Sequence, residues 1–306
     1  MSAILATRAP GARLVVGGAP EGHDALILGD IVARGSLRQL LQICPDDARM
    51  ARLASALAFF HPDLDVLTFP AWDCLPYDRV SPNPEIVSRR IDTLTRLAEA
   101  TPKARRIVLT TINAAMQRVP PRAAFRDRVL RLAVGERIAL ADLTAFLADN
   151  GYGRTETVRE PGEFAIRGGI VDLYPAGFAS PLRLDFFGDS LEAVRQFDAL
   201  TQLTTGSLAE VRLQPVNEVL LDAAAIQRFR TRYREQFGTV ADDDPLYEAV
   251  STGRRFAGME HWLPLYYDTL ETLFDYLPDA AVTFDPSIEA VRHDRLALIA
   301  DFHDAR

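Results

Sequence analysis

Residues 160–189 read EPGEFAIRGGIVDLYPAGFASPLRLDFFGD, the clearest secondary-structure pattern in the chain. Apolar and polar side chains alternate with a period of two, and clusters of Gly, Pro and Ser interrupt the alternation. This pattern is typical of half-buried antiparallel strands joined by turns. The sequence therefore predicts three short antiparallel strands between Glu160 and Asp189.

The last of these strands has two chemically different faces. Because side chains alternate between faces, it divides into an aliphatic and a mixed set: Leu182, Leu184 and Phe186, against Arg183, Asp185 and Phe187. We expect the aliphatic face to be buried and the mixed face to be wet, with Arg167 of the first strand on the mixed face. A Phe beside an Arg is the pairing that interface centres favour. A solvated face with one stray aromatic explains the same pattern, so both interpretations stay open.

Size and charge limit the possible classes of function. The chain has 306 residues, of which 48% are hydrophobic, and this length predicts two or three domains. Its net charge is −8 and its pI is about 5.2, which argues against a generally basic nucleic-acid surface. We therefore do not expect strong DNA binding from this chain alone.

Cysteine and histidine usage indicates neither disulfides nor metal. Cys44 and Cys74 form no disulfide framework and no CxxC pattern, which fits a reducing cytoplasm. The five histidines lack the spacing of metal ligands. No apolar run approaches the roughly 20 residues that span a bilayer, and the N-terminus lacks a signal-peptide pattern. These features predict a cytoplasmic protein without membrane contact.

The first 120 residues alternate apolar runs with helical spacings. We predict strands at residues 13–17, 38–44, 64–69 and 106–112. We predict helices after Pro20, around residues 50–60, from Glu85, and from about Asn113 to Pro120. Alternating strands and helices are typical of a parallel sheet with crossover helices.

Residues 17–24, GGAPEGHD, have the spacing of a P-loop, GxxxxGK[ST]. Gly17 and Gly22 fit that pattern, but His23 replaces the Lys and Asp24 replaces the Ser or Thr. The Lys normally neutralises phosphate and the hydroxyl binds magnesium, whereas Asp24 adds a negative charge and Glu21 adds another. We predict that this loop repels phosphate. A plain turn between a strand and a helix explains the glycines as well.

Several other patterns allow two interpretations. Arg79, Arg89 and Arg90 are either a phosphate clamp or solvated helix charge, and we favour the second. The segment 219–222, VLLD, suggests a Walker B carboxylate, but a helix N-cap at Asp222 is favoured. Core packing is favoured over a stacking platform for nucleic acid in the segment 256–278. The aromatic side chains concerned there are Trp262, Tyr266, Tyr267 and Phe274.

Four quoted segments resemble one family closely. They are LPYDRVSP at 75–82, PGEFAIRGGIVDLYP at 161–175, LRLDFFGDSLEAVRQFD at 182–198 and GMEHWLPL at 258–265. The chain resembles the bacterial transcription-repair coupling factor and its relative, the excinuclease protein UvrB. The resemblance implies an α/β fold: a degenerate P-loop-type parallel-sheet domain at 1–120 and 207–306, interrupted by a small α+β domain at 121–206.

The resemblance also implies a function. In that family the small sheet binds the excinuclease protein UvrA, and Arg167, Arg183 and Phe187 match the contact positions. Full-length members are ATP-driven DNA translocases that displace stalled RNA polymerase. Their ATP, magnesium, polymerase and double-stranded DNA sites are expected beyond residue 306. We expect this chain to be a non-catalytic, cofactor-free adaptor from the N-terminal part of such a protein. A nucleotide- or DNA-binding module that retains a helicase-like activity is the alternative.

Overall fold

The computed structural model describes residues 14–35, 37–75, 79–99, 104–238 and 244–305. In chain order the helices are α1 (His23–Arg34), α2 (Asp47–Phe60), α3 (Pro84–Ala98), α4 (Ile112–Ala115), α5 (Leu140–Asp149), α6 (Ala223–Phe237), α7 (Pro245–Ser251), α8 (Leu273–Tyr276) and α9 (Ile288–Asp304). The strands are β1 (Gln39–Cys44), β2 (Asp65–Phe69), β3 (Arg106–Thr111), β4 (Leu130–Ala133), β5 (Gly153–Arg154), β6 (Glu163–Arg167), β7 (Ile170–Leu173), β8 (Leu182–Phe187), β9 (Ser190–Phe197), β10 (Thr204–Leu208), β11 (Glu210–Leu213) and β12 (Ala281–Phe284).

The chain divides into two compact units. The first comprises residues 1–71, 99–117 and 272–306, and the second comprises residues 72–98 and 118–271. The segments 72–98 and 207–271 therefore belong to the same unit as the antiparallel strands of residues 163–208. The domain boundaries that the family resemblance implies, at 120/121 and 206/207, stay predictions.

The first unit contains a four-stranded parallel sheet in the order β12-β1-β3-β2. The three strands predicted at residues 38–44, 64–69 and 106–112 are confirmed. The predicted strand at 13–17 is wrong over residues 14–17, and Arg13 lies outside the described residues. The fourth strand is instead β12, whose short AVTF run carries too weak a pattern to be predicted as a strand.

The helices of this unit bury the faces that their spacing predicts. Helix α1 buries Ala25, Leu28, Gly29, Ile31 and Val32, and α2 buries Met50, Leu53 and Leu57. Apart from Gly29, these residues share one core cluster with residues of β1 and β3. The helix predicted from Asn113 to Pro120 is shorter than predicted. Helix α4 begins at Ile112 and ends at Ala115.

The second unit contains a six-stranded sheet in the order β10-β9-β8-β7-β6-β5. The three antiparallel strands predicted within residues 160–189 are β6, β7 and β8. The strand after residue 207 does not join the parallel sheet of the first unit. Strand β11 pairs with β4 in a separate two-stranded antiparallel sheet. Asp222 caps α6 as predicted, since its side chain accepts a hydrogen bond from the amide of Ala225 at 2.8 Å.

Candidate protein-docking site

Strand register places Arg167, Arg183 and Phe187 on one face of the six-stranded sheet. Arg167 lies opposite Ile170, Ile170 lies opposite Asp185, and Asp185 has the same parity in β8 as Arg183 and Phe187. The register shift between Asp185 and Phe186 is taken up in β9, so β8 keeps its alternation. The sequence argument assigned these three side chains to the same face, and the register agrees.

Two tight turns at the same end of the sheet position Phe187. Gly168 and Gly169 connect β6 to β7, and the oxygen of Phe186 lies 2.6 Å from where a Cβ on Gly169 would sit. Gly169 is required because a side chain there would collide with the neighbouring strand. Gly188 follows Phe187 directly and has a φ of +60°, which favours glycine at this turn. The Phe187 side chain lies beside these tight turns and is 82% exposed.

Arg183 is firmly held within the sheet. Its Nε and Nη2 atoms donate to the two carboxylate oxygens of Asp172 at 2.7 and 2.9 Å. Its guanidinium carbon lies 4.9 Å from the ring centroid of Phe197. The hydrogen bonds to Asp172 raise the pKa of Arg183, so the guanidinium stays charged. Arg183 is thus a fixed cation rather than a free one.

Arg167 is more exposed than Arg183. Its Nη2 atom donates to the backbone carbonyl of Glu156, which orients the side chain without neutralising its charge. No carboxylate partner of Arg167 is present among the described residues. Arg167 therefore presents an uncompensated positive charge on this face.

Three further residues belong to this face although the sequence argument did not assign them a role as contacts. Ile170 is 38% exposed and lies diagonally next to Phe187 across the β7–β8 pair, within reach of an aromatic ring. Arg195 lies opposite Arg183 and forms an ion pair with Asp185 at 2.9 Å. Strand pairing was the missing signal, because a single sequence does not show which residues are neighbours across strands. We call the following set the docking face: Arg167, Ile170, Arg183, Asp185, Phe187 and Arg195.

The mixed face is wet at only one end. Near the other end, Ala165 and Phe197 are buried together with Val158 in a small apolar cluster, and Tyr174 packs against it. Asp172 is also buried there, with 3% of its side chain exposed. The expectation of a wet face is therefore wrong at this end, because Val158 packs against it. What remains accessible is the end that carries Phe187.

The loop at residues 17–24, which we call the nucleotide-like loop, binds its own carboxylate. One oxygen of Asp24 accepts hydrogen bonds from the amides of Gly22 and Ala25, both at 2.9 Å. The other oxygen pairs with Arg49, which also reaches Asp285 at 3.3 Å. These backbone amides are the groups that hold phosphate in a working P-loop. In this chain Asp24 occupies two of them.

The rest of this loop carries no cationic replacement for the missing lysine. Glu21 pairs with Arg52 at 2.5 Å, and His23, the first residue of α1, is exposed.

Among the described residues, no group of three His, Cys, Asp or Glu side chains is arranged to hold a metal ion. No helix of the described residues is long and apolar enough to cross a membrane.

The arginines considered as a phosphate clamp do not act together. Arg90 is fully buried, and its Nε and Nη2 atoms bond to Glu218 at 2.5 and 3.1 Å. The prediction of solvated charge is therefore wrong for Arg90. Arg89 is exposed on α3 and lies 3.7 Å from Glu85 one turn earlier, and Arg79 is also exposed.

The aromatic segment mainly packs in a core, as predicted. Tyr266 and Tyr267 are buried, and Trp262 packs against the same cluster. Burial raises the pKa of both tyrosines, so their hydroxyls stay protonated. Phe274 belongs to the first unit and is 41% exposed, so the prediction of core packing is wrong for this residue.

The adjacent residues Glu260 and His261 have separate partners. Glu260 accepts a hydrogen bond from Ser81 at 2.7 Å and pairs with Arg255 at 2.9 Å. The Nε2 atom of His261 lies 3.1 Å from the carbonyl oxygen of Val80. Their neighbouring positions in sequence therefore produce no acid/base pair.

Comparison with known proteins shows the family of this chain. Residues 130–218 match the family described as UvrB interaction domain, and this range contains the whole docking face. The chain is 35% identical over 277 residues to a transcription-repair-coupling factor of Haemophilus influenzae, an alignment that covers 90% of the chain and 24% of that relative. The chain belongs to the transcription-repair-coupling factor family.

Other members of this family are similar over somewhat shorter alignments. The Escherichia coli transcription-repair-coupling factor is 36% identical over 237 residues, covering 77% of the chain and 20% of the relative. The Bacillus subtilis protein of the same name is 25% identical over 234 residues. The chain thus spans about a quarter or less of the length of the relatives it matches.

Proposed function

We propose that this chain is a non-catalytic adaptor that binds the excinuclease protein UvrA through the docking face. In this role it recruits excision-repair proteins to stalled transcription complexes. The observation that carries the proposal is a Phe187 side chain that is 82% exposed beside a tight turn, on the same sheet face as Arg167 and Arg183. Its place within the UvrB interaction domain match supports a partner from excision repair.

The chemistry of the docking face suits a protein partner with acidic groups around an apolar pocket. Phe187 and Ile170 supply the apolar contact, and a large exposed aromatic beside arginine is the composition of a binding hot spot. Arg167 and Arg183 donate charge-assisted hydrogen bonds to acceptors at the rim. The chain as a whole carries a charge of −8, so this arginine-rich face is a local exception.

The same proposal leaves ATP hydrolysis, DNA translocation and contact with RNA polymerase to other parts of full-length family members. We propose that the nucleotide-like loop is a degenerate nucleotide-binding loop. A bound phosphate would have to displace the Asp24 carboxylate from two amides and from Arg49, and would meet its negative charge. Saturable binding of magnesium ATP to the purified chain would contradict this part of the proposal.

The test compares two phenylalanines of nearly equal exposure. Phe187→Ala should weaken the binding of purified UvrA, measured by calorimetry, by about 2 kcal/mol, which is roughly thirtyfold in Kd. Phe59→Ala is the matched control, because Phe59 is 80% exposed on α2 of the other unit. This control should leave the affinity unchanged.

Two outcomes would contradict the proposal. If the parent chain does not bind UvrA, the adaptor function is wrong for this chain. If both variants bind as tightly as the parent, the partner binds but the docking face is not where it binds. Thermal unfolding of each variant shows whether it is still folded.

A further inference from the structure

We propose that Asp172 is a positioning residue of the docking face, which holds the guanidinium of Arg183 in the orientation that the partner meets. This inference rests on the proposed function for its consequence in binding. The geometry on which it depends lies within the second unit alone. Asp172 is buried and is not expected to touch the partner itself.

Strand register explains why Asp172 controls the direction of Arg183. The two residues are directly opposite each other in the antiparallel β7–β8 pair. An arginine side chain is long enough to point away from the sheet, yet here it folds back across β7 to reach a carboxylate that is only 3% exposed. Two parallel hydrogen bonds fix the plane of the guanidinium as well as its position.

Phe197 supports the guanidinium from a second direction. Its ring is fully buried beside Val158 and Ala165, and its centroid lies 4.9 Å from the guanidinium carbon of Arg183. A cation over an aromatic face is attracted to the ring. Arg183 is therefore restrained by the Asp172 carboxylate and by the Phe197 ring.

The restraint leaves a defined part of Arg183 for a partner. Asp172 accepts hydrogen bonds from the Nε and Nη2 atoms of Arg183, whereas Nη1 has no partner among the described residues. The Arg183 side chain as a whole is 21% exposed. A donor that is already ordered loses less conformational entropy on binding than a free arginine does.

The test is a double-mutant cycle with UvrA as the binding partner. Asp172→Asn keeps the shape of the side chain but removes its charge and one acceptor, and it should weaken binding by about tenfold because Arg183 becomes mobile. In an Arg183→Gln background the same change should have no further effect. A weakening by the same factor in both backgrounds, or none in either, would overturn the proposal.

A matched control separates positioning from a general loss of stability. Asp65 and Arg106 are also directly opposite each other on neighbouring strands and pair at 3.0 Å, but they lie in the first unit. Asp65→Asn therefore removes a similar charge from a similar pair, and it should leave the affinity unchanged. If Asp172→Asn does not fold, Phe197→Leu removes the ring instead and should also weaken binding only when Arg183 is present.

A second measurement needs no partner. In heteronuclear NMR of the parent chain, the Nε proton of Arg183 should exchange slowly with solvent, and Asp172→Asn should abolish that protection. If UvrA does not bind the parent chain, the proposed function is wrong. The NMR spectrum then tests by itself whether Asp172 positions Arg183. Fast exchange in the parent would overturn the proposed positioning.

Discussion

The nucleotide-like loop and the docking face both place arginines beside aspartates, but they leave different groups for a partner. In the loop, Asp24 is bonded to two backbone amides and to Arg49, so the groups that would hold an anion are already occupied. On the docking face, Arg183 is held by Asp172, its Nη1 atom has no partner among the described residues, and the Phe187 side chain is exposed. The two regions therefore differ in the donor groups and apolar side chains that their internal hydrogen bonds leave available to a partner.

The largest effect is expected on the stability of the chain, when the Asp24 carboxylate of the nucleotide-like loop is removed. Asp24→Ala removes the acceptor of two amides and one partner of Arg49, and it should lower the free energy of unfolding by about 2 kcal/mol. Chemical denaturation measures this change. Glu289→Ala is the control, since Glu289 forms an exposed pair with Arg292 on α9 and should change stability little. Equal stability of the parent and Asp24→Ala would mean that the internal carboxylate is not a structural ligand.

A smaller effect is expected from the uncompensated charge on the docking face. Arg167→Ala should weaken the binding of UvrA by about 1 kcal/mol at low salt and by less at high salt, because exposed charges are screened. Calorimetry at two ionic strengths checks this. Arg34→Ala is the matched control, since Arg34 is an exposed arginine at the end of α1 in the other unit. A loss that does not depend on salt would show that Arg167 contributes by shape rather than by charge.

The smallest effect concerns Cys44, which lies close to the loop's charges. Burial, and then the negative charge of Asp285, raise the pKa of its thiol from 9.0 to about 12. Between pH 9 and 12 the unfolded thiol ionises while the folded thiol does not, so stability is full below this window and falls as the pH rises through it. At pH 9.0 the loss should be about 0.4 kcal/mol relative to neutral pH.

Comparison with Cys44→Ala isolates this contribution, because the buried tyrosines titrate in both proteins. The difference in unfolding free energy between the parent and the variant should shrink from neutral pH to pH 9.0, the ordinary pKa of the thiol. A constant difference across this range would mean that Cys44 ionises as readily in the folded chain as in the unfolded one.

Local patterns predicted the features that depend on neighbours in sequence. The period-two alternation gave β6, β7 and β8, and parity alone placed Arg183 and Phe187 on the same face. Residues whose partners are distant were not predictable. Arg90 has a helical position that is typical of solvated charge, yet it is buried because its partner Glu218 lies 128 residues further along the chain. Cross-strand partners of the docking face, such as Asp172 for Arg183, were missed for the same reason.

Weak local signals explain the other differences. The run at residues 14–17 is apolar, but apolarity without a pairing partner does not make a strand, and β12 takes the edge position beside β1. Strand β11 reads as any short strand, and nothing in its sequence identifies β4 as its neighbour. The roles of Arg167, Arg183 and Phe187 as partner contacts stay predictions until binding is measured.

The buried bond between Arg90 and Glu218 determines how the second unit can be studied in isolation. Arg90 comes from the segment 72–98, and Trp72 of that same segment donates to Glu218 at 2.9 Å. A fragment cut at 118–271 would leave the Glu218 carboxylate in the core without its cation, at a cost of about 3–5 kcal/mol. Two peptides, 72–98 and 118–271, should therefore reassociate when mixed, as the halves of a split protein do.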